Sequence, residues 1–248
     1  MILIIGSSHD DVLYFESLMT KKHNDVILHQ YPVTFGHIFN QDVALVSEVY
    51  TNYISSIITQ YMYSRYFVFL VIAVGTCIGY SDDVRPYDIA FSDQVMLGDV
   101  DQIALRPVAL GEIPGNYPVF YPVSNEVRNF MATAIDLRIS GRNINASYLS
   151  SNTFYTRYEQ VKPLLVNGQL SRIHSGLVLD CTYGGIALAG KIFNIPTVAL
   201  KVVETTFGKP INFEEYQHIL EAQQQVGKAI VTAIGNIGSN DVLKGISD

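Results

Sequence analysis

One segment constrains this chain more than any other: residues 67–74, FVFLVIAV, an unbroken apolar run rich in β-branched side chains. It is too short to span a bilayer and does not alternate, so it suits a central parallel strand covered by helices on both faces. It leads into Gly75-Thr76-Cys77-Ile78-Gly79, which reads as a turn at the strand's carboxyl end. In open α/β sheets that is where ligands bind. A strand buried on both faces needs neighbours, and the rest of the chain supplies them.

Residues 1–5 are a short apolar run closed by Gly6, the pattern of a buried first strand. Ser8 is placed to cap a helix over about residues 9–22, with Val12, Phe15, Leu18 and Met19 on its apolar face. Residues 26–31 and 33–39 read as a hairpin, 42–47 as a strand, and 51–66 as a helix with Ile54, Ile57, Ile58 and Tyr61 at helical spacing. A strand is expected at 88–93. A Gly- and Pro-containing loop follows at 100–122, and a loop of that length tends to carry function. Ser124 opens a helix to about 137; then come a strand (146–150), a helix (155–165), a strand (176–181) and a small-residue helix (184–193). A last core strand (196–203) and a closing helix (212–234) complete the pattern. Strands alternating with helices predict a three-layer α/β fold, with a mixed, mostly parallel twisted sheet flanked by helices. Nothing divides the chain, so residues 1–248 are expected to form a single domain.

Composition narrows the function. Of 248 residues, 48% are hydrophobic and 16% charged, enough to bury a large core and to exclude disorder. The net charge of −7, with no basic stripe, argues against a nucleic-acid partner. No uncharged run approaches the roughly 18–20 residues of a membrane span. The short MILIIG start does not form a signal sequence, so a cytosolic location is expected. Cys77 and Cys181 make no CxxC or zinc-type pattern, which leaves no metal, cofactor or disulfide indicated and points to two buried, inert thiols.

Four segments, taken in order, resemble the nucleoside phosphorylase/nucleosidase superfamily, and within it the 5′-methylthioadenosine/S-adenosylhomocysteine nucleosidases. They are IIGSSHDDV near the amino terminus, VGTCIG followed by PYDIAFSDQ, the loop GEIPG, and the pair SSNTF and LDCTYGGIALAGKIFNIPTVALKVV. The resemblance implies an enzyme that breaks the bond from ribose to a purine through an oxocarbenium-like transition state. Such an enzyme helps by protonating the departing base and by positioning water or phosphate. It also implies a homodimer and a small purine nucleoside as ligand.

The resemblance assigns roles residue by residue. Asp11 stands where nucleosidases carry the Glu that activates water; the competing reading is a Ser8-x-x-Asp11 capping box. Thr76, in the Gly-rich segment, is a substrate-binding candidate. Phe154 matches an aromatic that stacks on the purine, against the alternative of a core aromatic. Thr182 stands where the family has the Glu that grips both ribose hydroxyls, and Asp180, two residues earlier, is the candidate substitute. Glu204 and Thr205 fall where the family has Ser-Asp, so the acid is present one residue out of register. A bulge would be needed to turn Glu204 into the site as general acid; otherwise it is a solvated loop carboxylate. Arg106 and Pro114 match a loop that lines a partner's 5′-substituent pocket, with Arg106 where an aromatic is expected.

The first loop has no Arg or Lys, and Ala73 stands where phosphorylases carry an Arg, so water is the expected nucleophile. Arg85 and Arg157 are expected on the surface, with a reach into the pocket from elsewhere as the alternative. Three functions remain: a purine-nucleoside hydrolase, a purine nucleoside phosphorylase, or a diverged nucleoside binder without turnover.

Overall fold

The computed structural model describes residues 1–155, 157–166, 176–210 and 216–237. Strand β1 (Ile2–Ile5) leads into α1 (Asp10–Leu18), which is followed by β2 (Thr20–Ile27), β3 (Tyr31–Ile38), β4 (Gln41–Val46) and α2 (Asn52–Arg65). Next come β5 (Leu70–Gly79), β6 (Ile89–Leu97), β7 (Phe120–Pro122), α3 (Asn125–Arg138) and β8 (Asn143–Ser150). The chain then forms α4 (Tyr158–Val166), β9 (Gly176–Asp180), α5 (Tyr183–Phe193), β10 (Thr197–Thr206) and α6 (Tyr216–Gly235).

Strand β5 organises the sheet, as its apolar sequence predicts. Its first half pairs in parallel with β1, and most of its length pairs in parallel with β10. Its last residues pair antiparallel with β9. Because β10 also pairs with β6, β6 with β8, and β8 with β9, strands β5, β10, β6, β8 and β9 close on themselves. The other side of β5 continues as an open sheet through β1, β4, β3 and β2. The sheet is therefore mixed: β5 runs parallel to β1 and β10, while the β5–β9 and β10–β6 pairs and the β2–β3–β4 hairpins are antiparallel.

Residues 75–79 form no turn. Gly75 adopts a positive φ of 123°, a conformation glycine takes without penalty, and the strand runs on to Gly79 along β10. The first helix is also shorter than expected, because residues 20–22 belong to β2. That strand is exposed along nearly its whole length, so it carries no apolar alternation to announce it. Helix α2 is capped by Thr51, whose side chain accepts from the Ile54 amide, and α3 by Ser124, which accepts from Val127. Residues 212–215 of the expected closing helix lie outside the described residues.

Helix α5 fulfils its small-residue pattern. A Cβ on Gly185 would fall 1.9 Å from the Asn52 carbonyl oxygen, so only glycine lets α2 and α5 approach this closely. On another flank α6 packs against α1 and α3. Among the described residues no helix is long and apolar enough to cross a membrane.

Candidate active site

The polar groups of interest lie near the carboxyl ends of β1, β5 and β10. The loop from Gly6 to His9 leads into α1 and brings Asp11 over Gly75. The Ser8 amide donates to Asp11 Oδ2 at 2.8 Å, and Gln223 of α6 donates from Nε2 to Oδ1 at 2.6 Å. A Cβ on Gly75 would sit 2.7 Å from Asp11 Oδ2, so the glycine keeps open the space this carboxylate fills. Asp11 is buried, and burial raises its pKa above the usual carboxylate range against the opposing pull of Ser8, Lys201 and Ser7. The Ser8 side chain does not cap α1, whose N-cap is His9. Only the Asp11 half of the capping box forms, and it fastens the carboxylate to the loop.

Glu204 has the bulge that its register requires. Along β10, Val203 pairs with Cys77 and Thr205 with Ile78, which leaves Glu204 as the extra residue between them. An unpaired residue of this kind redirects its side chain. Thr76 Oγ1 donates to Glu204 Oε2 at 3.0 Å, so these two candidates meet at one edge. The neighbouring Thr205 lines a cleft of about 260 Å³ together with Ile78, Phe154, Tyr155 and Phe207. Phe154 is 63% exposed, which excludes the core-aromatic reading.

A second cluster gathers around Asp180. At the end of β9 its Oδ1 accepts from Ser150 Oγ at 2.6 Å, the Tyr183 amide at 2.7 Å and the Thr182 amide at 3.0 Å. Its Oδ2 accepts from Lys201 Nζ at 2.5 Å and from Thr182 Oγ1 at 3.1 Å. Lys201 also donates to Thr182 Oγ1 at 2.8 Å. Asp180 and Thr182 thus meet across the turn into α5, rather than along one strand face. A ribose hydroxyl reaches Asp180 only by displacing one of these donors. Burial disfavours both charges, yet Lys201 holds the Asp180 carboxyl below its ordinary range, and Asp180 holds the Lys201 ammonium above its own.

Lys201 was not singled out in the sequence, although it carries a readable signal. A lysine inside the apolar run VALKVV must be paired if that strand is central. It links the two clusters, because its charge is felt by Asp11 as well as by Asp180.

The remaining candidates lie apart. Arg106 is exposed in the 103–107 turn, and Pro114 is half-buried further along the same loop. No bond joins either to Asp11, Glu204 or Asp180 among the described residues. Asp11 also lines a groove between α1 and α6, and the lining of the Phe154 cleft includes Thr205 but not Asp11, Glu204 or Thr76. Arg85 and Arg157 are exposed, as expected. Burial pushes both cysteine thiols up, Cys77 the more strongly. Among the described residues no group of three or more His, Cys, Asp or Glu side chains is placed to hold a metal ion.

No family model matches the chain. A 5′-methylthioadenosine/S-adenosylhomocysteine nucleosidase of Colwellia psychrerythraea is 25% identical over 223 residues, covering 86% of this chain and 87% of the relative. The nucleosidase of the same description from Oceanobacillus iheyensis is 20% identical over 235 residues, covering 94% and 98%. The solved Colwellia psychrerythraea nucleosidase, in complex with adenine, superposes with a TM-score of 0.83 at 18% identity, covering 95% of each chain.

Proposed function

Taking the chain as a member of the nucleoside phosphorylase/nucleosidase superfamily, we propose that it hydrolyses the N-glycosidic bond of a purine nucleoside of the 5′-methylthioadenosine type. The observation that carries this reading is the bulge at Glu204. It leaves a displaced acid bonded to Thr76, one residue before Thr205 of the cleft in which Phe154 is exposed. Phe154 stacks on the base, and Glu204 donates a proton to it. Water attacks the anomeric carbon and passes a proton to Asp11, while the electron pair of the breaking bond leaves with the base. The products are the free purine and the free sugar. Each proton transfer of this kind contributes about 10²–10⁴-fold in rate.

Water rather than phosphate is the nucleophile, because Lys201, the buried cation within electrical reach of Asp11, is already neutralised by Asp180 at 2.5 Å. We assign the exposed apolar side chains Tyr50, Tyr53 and Ile57, together with Leu105 on the long loop, to contact with a second copy of the chain. In that dimer Arg106 and Pro114 approach the partner's ligand.

A second reading, a nucleoside binder without turnover, draws on the corner at Asp180. There the ribose-gripping carboxylate expected of the family is replaced by Thr182, whose hydroxyl is held by Asp180 and Lys201. Incubation with 5′-methylthioadenosine, adenosine and inosine, with and without phosphate, separates the alternatives. Hydrolysis gives free base at a rate independent of phosphate. Release only with phosphate makes the chain a phosphorylase, and calorimetric binding without release leaves a binder.

A further inference from the structure

The groove between α1 and α6 is lined by Asp10, Asp11, Tyr14, Ser17, Gln223 and Gln224 and encloses about 350 Å³. Helix α6 is pressed against α1 one turn beyond Gln223, where a Cβ on Gly227 would lie 2.4 Å from the Tyr14 ring. That close packing fixes the height at which Gln223 projects. We infer that Gln223 is the positioning residue that keeps the Asp11 carboxylate ionised and turned onto Gly75. The inference rests on the reading of Asp11 as proton acceptor.

Two observations support it. The first is geometry: Gln223 Nε2 holds Oδ1 at 2.6 Å while the Ser8 amide holds Oδ2 at 2.8 Å, so neither oxygen is free to swing. The second is a cost the fold accepts. Gln223 Oε1 is buried without a partner among the described residues. Turning the amide over would point this acceptor at Asp11, which is tolerable only if Asp11 carries a proton. With the amide this way round Oδ1 receives a donor, a contact that favours the ionised over the protonated carboxyl.

Burial pulls Asp11 toward the protonated form. Against it stand Lys201 from β10 and the Ser7–Ser8 loop. Among the described residues Asp10 on α1, Tyr216 on α6 (bonded to Asp10 at 2.9 Å), Tyr50 ahead of α2 (bonded to Glu48) and, through Tyr216, Glu204 on β10 also face it. Removing the Gln223 donor leaves burial less opposed, so the proton affinity of Asp11 rises.

The test is the titration of Asp11 itself, followed by carbon-13 NMR of aspartate carboxyls in the full chain, with Asp11→Asn identifying the signal. Gln223→Leu should move this titration up by about one pH unit, a change typical of losing a charge-assisted hydrogen bond. Gln223→Glu, which sets a second carboxylate beside the first, should move it further. The acid limb of kcat/KM should follow in the same order. An Asp11 titration unmoved in both variants overturns the inference. If no base is released by any form, the hydrolase reading fails on its own, while the titration still decides the role of Gln223.

Discussion

The corner at Asp180 and the edge at Glu204 lie on β9 and β10, the two strands that flank the end of β5, and use similar residues, yet they are finished differently. At the corner, both charged side chains are 1% exposed, and Asp180 takes bonds from five donors. At the edge, Glu204 is half-buried and bonded to Thr76, with no second donor reaching it among the described residues. A closed polar cluster has no capacity left for a ligand, so its contribution is to hold β9, α5 and β10 together. An open one keeps acceptors and exposure for chemistry. On the proposed function the two clusters divide the labour: the corner fixes the scaffold, and the edge carries the chemistry.

This comparison can be broken in several ways. Glu204→Gln should lower the rate of base release by about 10²–10⁴-fold. The same variant should keep its urea midpoint, because a half-exposed edge contributes about 0.5 kcal/mol or less. Lys201→Met should do the reverse and destabilise the fold by about 3–5 kcal/mol in urea, since it strands a buried carboxylate. Its pH dependence sharpens the point. In the parent chain Asp180 is held below its unfolded value, so its stabilisation is present above about pH 4 and is lost as pH falls through the lower folded value. In the variant burial dominates and raises Asp180, so acidification from about pH 7 to about pH 5 should narrow its stability deficit. If both variants lose stability equally, the corner and the edge are not distinct.

Smaller effects refine the picture. Gly75→Ala should cost about 1–3 kcal/mol, because it combines an unfavourable φ with a Cβ driven onto Asp11. Thermal or urea unfolding measures it directly. Phe154→Ala should raise KM by about 10-fold, the scale of one lost base-stacking contact, with unchanged unfolding. Since the corner offers no free carboxylate to ribose, the inhibition constants of adenine and of a non-hydrolysable 5′-methylthioadenosine analogue should lie within about 10-fold of each other, well short of the strong discrimination that a free ribose-gripping carboxylate would give.

Much of the scaffold was legible because its signals are local. The spacing of Ile54, Ile57, Ile58 and Tyr61 announces α2, Ser124 announces the start of α3, and FVFLVIAV announces the centre of the sheet. What stayed hidden depends on partners distant in sequence. β2 looks featureless because it is an exposed edge strand, and β5 runs on past Gly75 because β10, more than a hundred residues later, pairs with it. The Glu204 mismatch was visible in the sequence, but only the register against β5 reveals the bulge that answers it. Lys201 could have been found from its lone charge in an apolar strand. Gln223 could not, because nothing within α6 reveals that Asp11 lies across from it.

The central claim is that a purine sits between Phe154 and Glu204. A crystal structure with adenine bound tests it most directly. The expected result is the ring stacked on Phe154, with its imidazole nitrogen within about 3 Å of the Glu204 carboxylate, a normal hydrogen-bond length. Adenine seated instead in the groove between α1 and α6, or with Glu204 turned away from it, would contradict the account.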